Sequence, residues 1–229
     1  TMTMNPRERI LAVLGRKPVD RLPVDLWHTP EIGAALRAHF GVKDDLAMYR
    51  ALGLDKIVWV FMEYAAGHGD TLGSQVGAKA SGQRTMRGVP LKPVQAGAAH
   101  YDEFGTAPMA GYDTPKSIEK YPFWPDPDHF LYDQAVEKAR RASRDFPVIG
   151  PWVSFFEIYC QLRGLEQALC DLVENPVLVD AILDRIEAIQ TEMMKRFFDR
   201  VGRAIDMTFI SDDIAGQTNL LISPAMWRR

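Results

Sequence analysis

Apolar positions along this chain recur with two periods, a helical one and a strand-like one, and the two alternate. Asn5-Pro6-Arg7-Glu8 reads as a helix start: a cap, a proline at the first position, and a glutamate three residues after the cap. Ile10, Leu11 and Leu14 give that helix one apolar face, and Gly15 closes it. Residues 21–27 predict a first strand. Thr29-Pro30-Glu31 opens a second helix carrying Ala35, Leu36 and Phe40 and ending at Gly41; Asp44 or Asp45 caps a third, short one that ends near Gly53. Residues 55–62 are nearly all apolar, the pattern of a parallel strand covered on both faces. Strand, helix and strand make a βαβ unit.

From 65 to 113 the pattern changes. Glycines fall at 67, 69, 73, 77, 82, 88, 97, 105 and 111, with short β-type pieces at 84–89 and 99–104 between turns. This predicts an antiparallel hairpin excursion within the α/β framework, since a long structureless loop is uncommon. Asp128 is expected to cap a helix to about Arg144, with Phe130, Leu131, Ala135, Val136 and Ala139 inward. Residues 147–153 predict a third strand. Residues 155–173 are helical with a break near Gly164, and Asn175-Pro176 starts a long helix to Val201, ended by Gly202. Residues 207–210 form a fourth strand, expected to be buried. It leads through Ser211, Asp212 and Asp213 into a loop and then Ser223-Pro224, a cap and first residue of another helix.

Alternating strands and helices imply a parallel sheet. About four strand–helix units are half of a (β/α)8 barrel, which usually runs to ~250 residues; an open four-stranded α/β sheet fits the same pattern. The chain stops two residues after Trp227, so the fourth strand is expected to be an edge of a domain incomplete at its C-terminus.

Composition narrows the function classes. The chain of 229 residues is 47% hydrophobic and 25% charged with net charge −3, which gives no electrostatic case for nucleic acid or an anionic membrane surface. No stretch approaches a membrane span or a signal peptide. The two cysteines, Cys160 and Cys170, do not share a helical face, and a reduced, cytoplasmic setting is expected.

The opening from Met4 through Val24, the segment Tyr101-Asp-Glu-Phe-Gly105, and the run Asp212-Asp213-Ile-Ala-Gly-Gln217 leading to Leu221-Ile-Ser-Pro224-Ala-Met-Trp227 together resemble the uroporphyrinogen decarboxylase-like superfamily. The resemblance spans the chain from Met4 onward. It implies a TIM barrel with its site at the C-terminal ends of the strands, and one of two activities. The decarboxylases remove acetate carboxyls from a tetrapyrrole without a cofactor. Their relatives are methyltransferases that pass methyl groups to or from a corrinoid protein, often with a zinc ion. Where the decarboxylases carry an arginine-rich motif after the first strand, this chain reads Asp25-Leu-Trp-His-Thr-Pro30. Where they carry an aspartate after the second, it reads Val60-Phe-Met-Glu63-Tyr64. A substrate with many carboxylates needs bidentate cationic partners, so methyl transfer is the favoured branch and tetrapyrrole decarboxylation the alternative. The zinc ligands that the resemblance implies are expected beyond residue 229; the chain itself is expected to hold no cofactor, the corrinoid sitting on a partner protein. A third reading is an inactive half barrel that self-associates as a homodimer.

Strand-end residues carry the candidate chemistry. Asp212 and Asp213 are adjacent and point to opposite sides of a strand, so one faces the barrel mouth, where a carboxylate does acid–base work, and the other caps or is solvated. Asp213 shares its side with Phe209 and Ser211 and is the choice for the mouth. His28 and Trp27 follow the first strand; His28 either shuttles a proton or bonds the backbone at the start of the next helix. Glu63 and Tyr64 follow the second strand with the same two readings. Trp152, Ser154 and Glu157 follow the third, where Trp152 walls a flat substrate or sits in the core. Gln217 bonds a ligand or fixes its loop. The catalytic set is thus Asp213, Asp212, His28 and Glu63, and the substrate-binding set Trp27, Tyr64, Trp152, Ser154, Glu157 and Gln217. Asp102 and Glu103 read as structural or rim residues, and His39, His68, His100 and His129 show no ligand spacing.

Overall fold

A computed structural model describes residues 3–65, 84–97 and 99–228. Its centre is a parallel sheet of three strands, β1 (Val58–Trp59), β4 (Val148–Val153) and β5 (Met207–Ile210), in the order β1-β4-β5. Helices α1 (Pro6–Leu14), α2 (Pro30–Phe40) and α3 (Asp45–Ala51) precede it. Between β1 and β4 lie the antiparallel hairpin β2 (Leu91–Ala96) and β3 (Ala99–Phe104), the short α4 (Pro115–Glu119), and α5 (Tyr132–Ala142). Helices α6 (Phe156–Arg163), α7 (Leu165–Glu174) and α8 (Pro176–Val201) connect β4 to β5, and α9 (Pro224–Trp227) follows. This is a mixed α/β fold around a small parallel sheet.

Local chemistry places the helix ends. The Asn5 side chain accepts from Glu8 N while Glu8 accepts from Asn5 N, a reciprocal capping box. Thr29 caps α2, and Gly41 closes it at φ 62°, a left-handed position that costs glycine nothing. The buried stripe of α8 runs Val179, Ile182, Ile186, Ile189, Met193 and Phe197 at helical spacing. Its C-terminal part joins α5 over one face of the sheet, burying Val60, Met62 and Val148. Its N-terminal part packs with α6 and α4 in a second core around Ile158, Tyr159 and Leu162. A third cluster, Met48, Tyr49, Leu54 and Phe146, holds α3 to the entrance of β1.

Four expectations need correction. Residues 21–27 form no strand: Val24 N donates 2.9 Å to the Asp55 carboxylate, and Asp55 N donates 2.7 Å to Val24 O, so the segment is pinned by a side chain in place of a ladder. That carboxylate also binds the buried Arg9 and the partly exposed Arg21. Of residues 55–62 only Val58–Trp59 pair as a strand, with one further bond from Val60 N to Ile149 O at 2.9 Å. Beyond it β4 bulges between Ile149 and Trp152, where Pro151 has no N–H to give. At Gly150 an added Cβ would sit 2.2 Å from Val60 O, so this close crossing requires glycine. Asp128 does not cap the helix that follows; it pairs with Arg196. Asp126 caps a short 3-10 turn, Pro127–His129, and α5 starts only at Tyr132 because Leu131 N is drawn to Glu63 O. Finally, β5 is not buried: Phe209 is 37% and Ile210 70% exposed, since β5 is the sheet's edge among the described residues.

An antiparallel hairpin forms and β3 matches the expected 99–104, but its partner is β2 at Leu91–Ala96; the expected piece at 84–89 is a turn with a single bridge from Arg84 to Pro90. The earlier part of the expected excursion, with glycines 67 to 82 and His68, lies outside the described residues.

Candidate functional site

Side chains on successive strand residues face opposite ways, and here the two faces of the sheet differ in kind. Met62 enters the core under α5 and α8, whereas Trp59 and Phe61 line a cavity of about 760 Å³ whose border with that core is Val58, Val60 and Ala142. Trp152 of β4 and Phe209, Ser211 and Asp213 of β5 and its extension line the same cavity. The aromatic rings touch in series. Trp59 stacks on Phe61 at 5.6 Å between centroids and meets Phe209 edge-on at 5.1 Å; Phe209 meets Trp152 at 6.0 Å. Trp27 packs edge-on against Trp59 at 5.8 Å, with the Lys56 ammonium 4.9 Å from its ring.

Polar groups stand at the margins of this wall. His28 places Nε2 3.1 Å from the Tyr49 hydroxyl and Nδ1 3.0 Å from Thr29 O. A carbonyl only accepts, so Nδ1 carries the hydrogen and Nε2 receives the Tyr49 O–H. Burial, with the nearby Asp45 and Asp25 charges, pushes the Tyr49 phenol up to about 12, which keeps it a donor. Gly33 makes the room, because a Cβ there would lie 2.7 Å from His28 Cε1. Lys56 Nζ is 2.9 Å from Asp25, and Arg141, another lining residue, binds Asp44. No hydrogen bond or ion pair within the described residues engages the exposed Asp213 carboxylate.

The two adjacent aspartates divide as strand alternation predicts. Asp212 turns away from the cavity and accepts from Ser154 Oγ at 2.6 Å, Phe155 N at 2.9 Å and Glu157 N at 2.8 Å. It thus supplies an anion to the N-terminus of α6, whose own cap position, Phe155, has no side-chain acceptor. Ser154 is buried and is further tied to Gln190, whose Nε2 donates 2.8 Å to Ser154 O. Asp212, Ser154 and the Glu157 backbone therefore form one structural joint between β5 and α6.

Of the remaining candidates, Trp27, His28, Trp152 and Asp213 come together around the large cavity. Glu63 and Tyr64 do not line it. Glu63 pairs with Lys138 at 2.8 Å, and the Tyr64 hydroxyl accepts from Asp126 N at 2.9 Å while its ring packs on Phe130. Glu157 accepts from Gln161 through Oε1, and Gln217 is exposed at the tip of a loop closed by Gly216 N to Asn219 O. Sequence reasoning missed Trp59, Phe61, Tyr49 and Lys56. The first two were legible as the odd positions of an apolar strand, and Lys56 as the lone cation beside it. Tyr49 carried no local signal.

No three of His, Cys, Asp and Glu gather to hold a metal ion among the described residues. Cys160 is held as a thiol, pushed up to about 12 by burial and by Asp212, and Cys170 is exposed on another helix. The described residues therefore do not fit a zinc site. No described helix is long and apolar enough to cross a membrane. No family model matches the chain, and neither a curated protein nor a solved structure does.

Proposed function

We propose that the chain forms part of a uroporphyrinogen decarboxylase-like barrel and serves methyl transfer between a small molecule and the corrinoid of a partner protein in the cytoplasm. The observation that carries this reading is the aromatic cavity along the parallel strands, which runs from Lys56 past the end of β5 to Asp213 and is lined by His28 as well. Its volume of about 760 Å³ lies in the range of small-molecule sites. The small methyl donor or acceptor would lie against Trp59, Trp152 and Phe209, with the Asp213 carboxylate orienting it. The corrinoid would approach from the open mouth. His28 is fixed by Tyr49 and Thr29, and so serves best as a positioning residue. Cavity charge argues against the tetrapyrrole alternative: Lys56, Lys138 and Arg141 are each paired with an aspartate or glutamate.

The test is a methyl-transfer assay with methylcob(III)alamin. Transfer to a thiol forms the S–CH3 bond, breaks Co–CH3 and releases cob(I)alamin, read by its absorbance. The expected result is turnover that falls at least tenfold in Asp213→Asn, within the range of a charge-assisted bond. Absence of transfer across thiol, folate and methoxy-aromatic partners would rule the reading out.

A second reading rests on β5. Ile210, 70% exposed on the strand that is the sheet's edge among the described residues, suits pairing with a second copy of the chain. Analytical ultracentrifugation distinguishes the two: a dimer dissociated by Ile210→Lys supports self-association, and a monomer rejects it.

A further inference from the structure

Three described arginines are buried, and two have obvious reasons to be. Arg9 is held by Asp20 and Asp55, and Arg163 by Asp171 and the Met109 carbonyl. Arg87 differs. It is 7% exposed, and no hydrogen bond or ion pair within the described residues engages its guanidinium. Glu157 acts on it only through space. A buried charge without a partner is among the least favourable arrangements a fold can hold.

The backbone that carries Arg87 is nevertheless fixed. Thr85 N donates to Val89 O at 2.8 Å, Val89 N donates to Thr85 Oγ1 at 3.2 Å, and the Tyr121 hydroxyl donates to Arg87 O at 2.6 Å. Gly88 completes the turn at φ 78°, where an added Cβ would lie 2.6 Å from the Phe123 ring. The turn therefore delivers the side chain to one place, a small cavity of about 20 Å³ that Arg87 lines with Met86, Pro151 and Gln190. Two further walls, Phe61 and Trp152, also line the large aromatic cavity.

We propose that Arg87 is the anchor for the carboxylate of a small ligand whose flat apolar body lies against Trp59, Trp152 and Phe209. The small cavity has room for little more than a water-sized group, which suits a carboxylate and not a phosphoryl group. A guanidinium binds a planar carboxylate through two parallel N–H bonds. Burial, partly offset by the Glu157 charge, pulls the Arg87 guanidinium down to about 10, so it is still a cation at neutral pH and gains from an anion that bonds it directly. The inference rests on the large cavity being a ligand site but not on methyl transfer.

Calorimetric titration of the protein with 2-naphthoate, 2-naphthamide and inorganic phosphate tests it, since none of these carries a transferable methyl group. Naphthoate is expected to bind on the order of tenfold to a hundredfold more tightly than naphthamide. Arg87→Met should abolish that preference while leaving the melting temperature unchanged or higher, because it removes a buried charge that no hydrogen bond or ion pair among the described residues engages. Arg87→Gln provides the same comparison if the methionine variant does not fold. Trp152→Ala should weaken both naphthyl ligands alike, and its failure to do so would overturn the shared cavity while leaving the methyl-transfer chemistry to its own assay. Equal binding of naphthoate and naphthamide, a preference that survives in both Arg87 variants, no binding of either, or competition by phosphate would each overturn the carboxylate assignment.

Discussion

The two faces of the central sheet are made from the same strands and have opposite fates. On one, Val60, Met62 and Val148 disappear beneath α5 and α8. On the other, Trp59, Phe61, Trp152 and Phe209 form a wall beside a cavity. Both faces are apolar, so hydrophobicity does not separate them. Shape does: the aliphatic side chains of the sealed strand positions fit under helices, while flat rings on the open side offer stacking surface with polar groups at its edge. The same division runs through the adjacent aspartates. Asp212, with three donors at its oxygens, belongs to the structure, and Asp213, with none among the described residues, lines the cavity.

Substitution of equivalent rings should expose the difference most strongly. Phe197→Ala, on the sealed side and fully buried, is expected to cost about 3–5 kcal/mol in denaturant unfolding. Phe209→Ala, on the open side and 37% exposed, should cost about 1 kcal/mol or less while weakening ligand binding. Equal costs would break the comparison.

The aspartates sharpen it at smaller scale. Asp212→Ala strands the Ser154 hydroxyl and the Phe155 and Glu157 amides and is expected to cost about 2–3 kcal/mol. Asp213→Asn should leave stability within about 0.5 kcal/mol and act on turnover.

Much of this was legible in the sequence. The caps Asn5, Thr29 and Ser223 and the glycine stops at 41 and 202 placed helices because each serves a local hydrogen-bonding need. Strand alternation placed Asp213 on the side of Phe209 and Ser211 for the same reason. What was not legible depended on distant partners. Asp55 draws residues 21–27 out of a ladder from 31 positions away, and Glu63 O takes Leu131 N and so delays α5. Glu63 and Tyr64 were expected near the site by their position at a strand end; Asp126 draws Tyr64 aside, and Glu63 reaches the cavity margin only through Lys138. Arg87 sat in a glycine-rich stretch with no periodicity to mark it, and only its lack of a partner among the described residues draws notice.

Alkaline pH should probe the cavity and the second core at once. Tyr49 beside the cavity and Cys160 on α6 against the second core both have folded pKa values of about 12, raised from about 10 and about 9 chiefly by burial. Each therefore contributes stability that is complete below its unfolded value and lost as pH rises toward 12. Melting temperature should fall from about pH 9 upward, and Tyr49→Phe should flatten the part above about pH 10. A slope unchanged by that substitution would place the effect elsewhere.

The smallest expected effect on stability is at Gly33. Gly33→Ala gains about 1 kcal/mol of helix propensity, yet its Cβ meets the His28 ring at 2.7 Å. The two should nearly cancel in unfolding, while displacement of the imidazole lowers turnover. A variant with full turnover would show that His28 need not hold its place.

The central claim, that the open aromatic face is the ligand side, is tested most directly by nitrogen-15 spectra of the tryptophan indoles during titration with methylcob(III)alamin. Trp59 and Trp152 line the cavity, whereas Trp124 packs in the second core with its Nε1 donating to Ile118 O at 2.8 Å. The account predicts saturable shifts at the indoles of Trp59 and Trp152 with that of Trp124 unmoved. Shifts that spare Trp59 and Trp152, or that fall equally on all three, would contradict it.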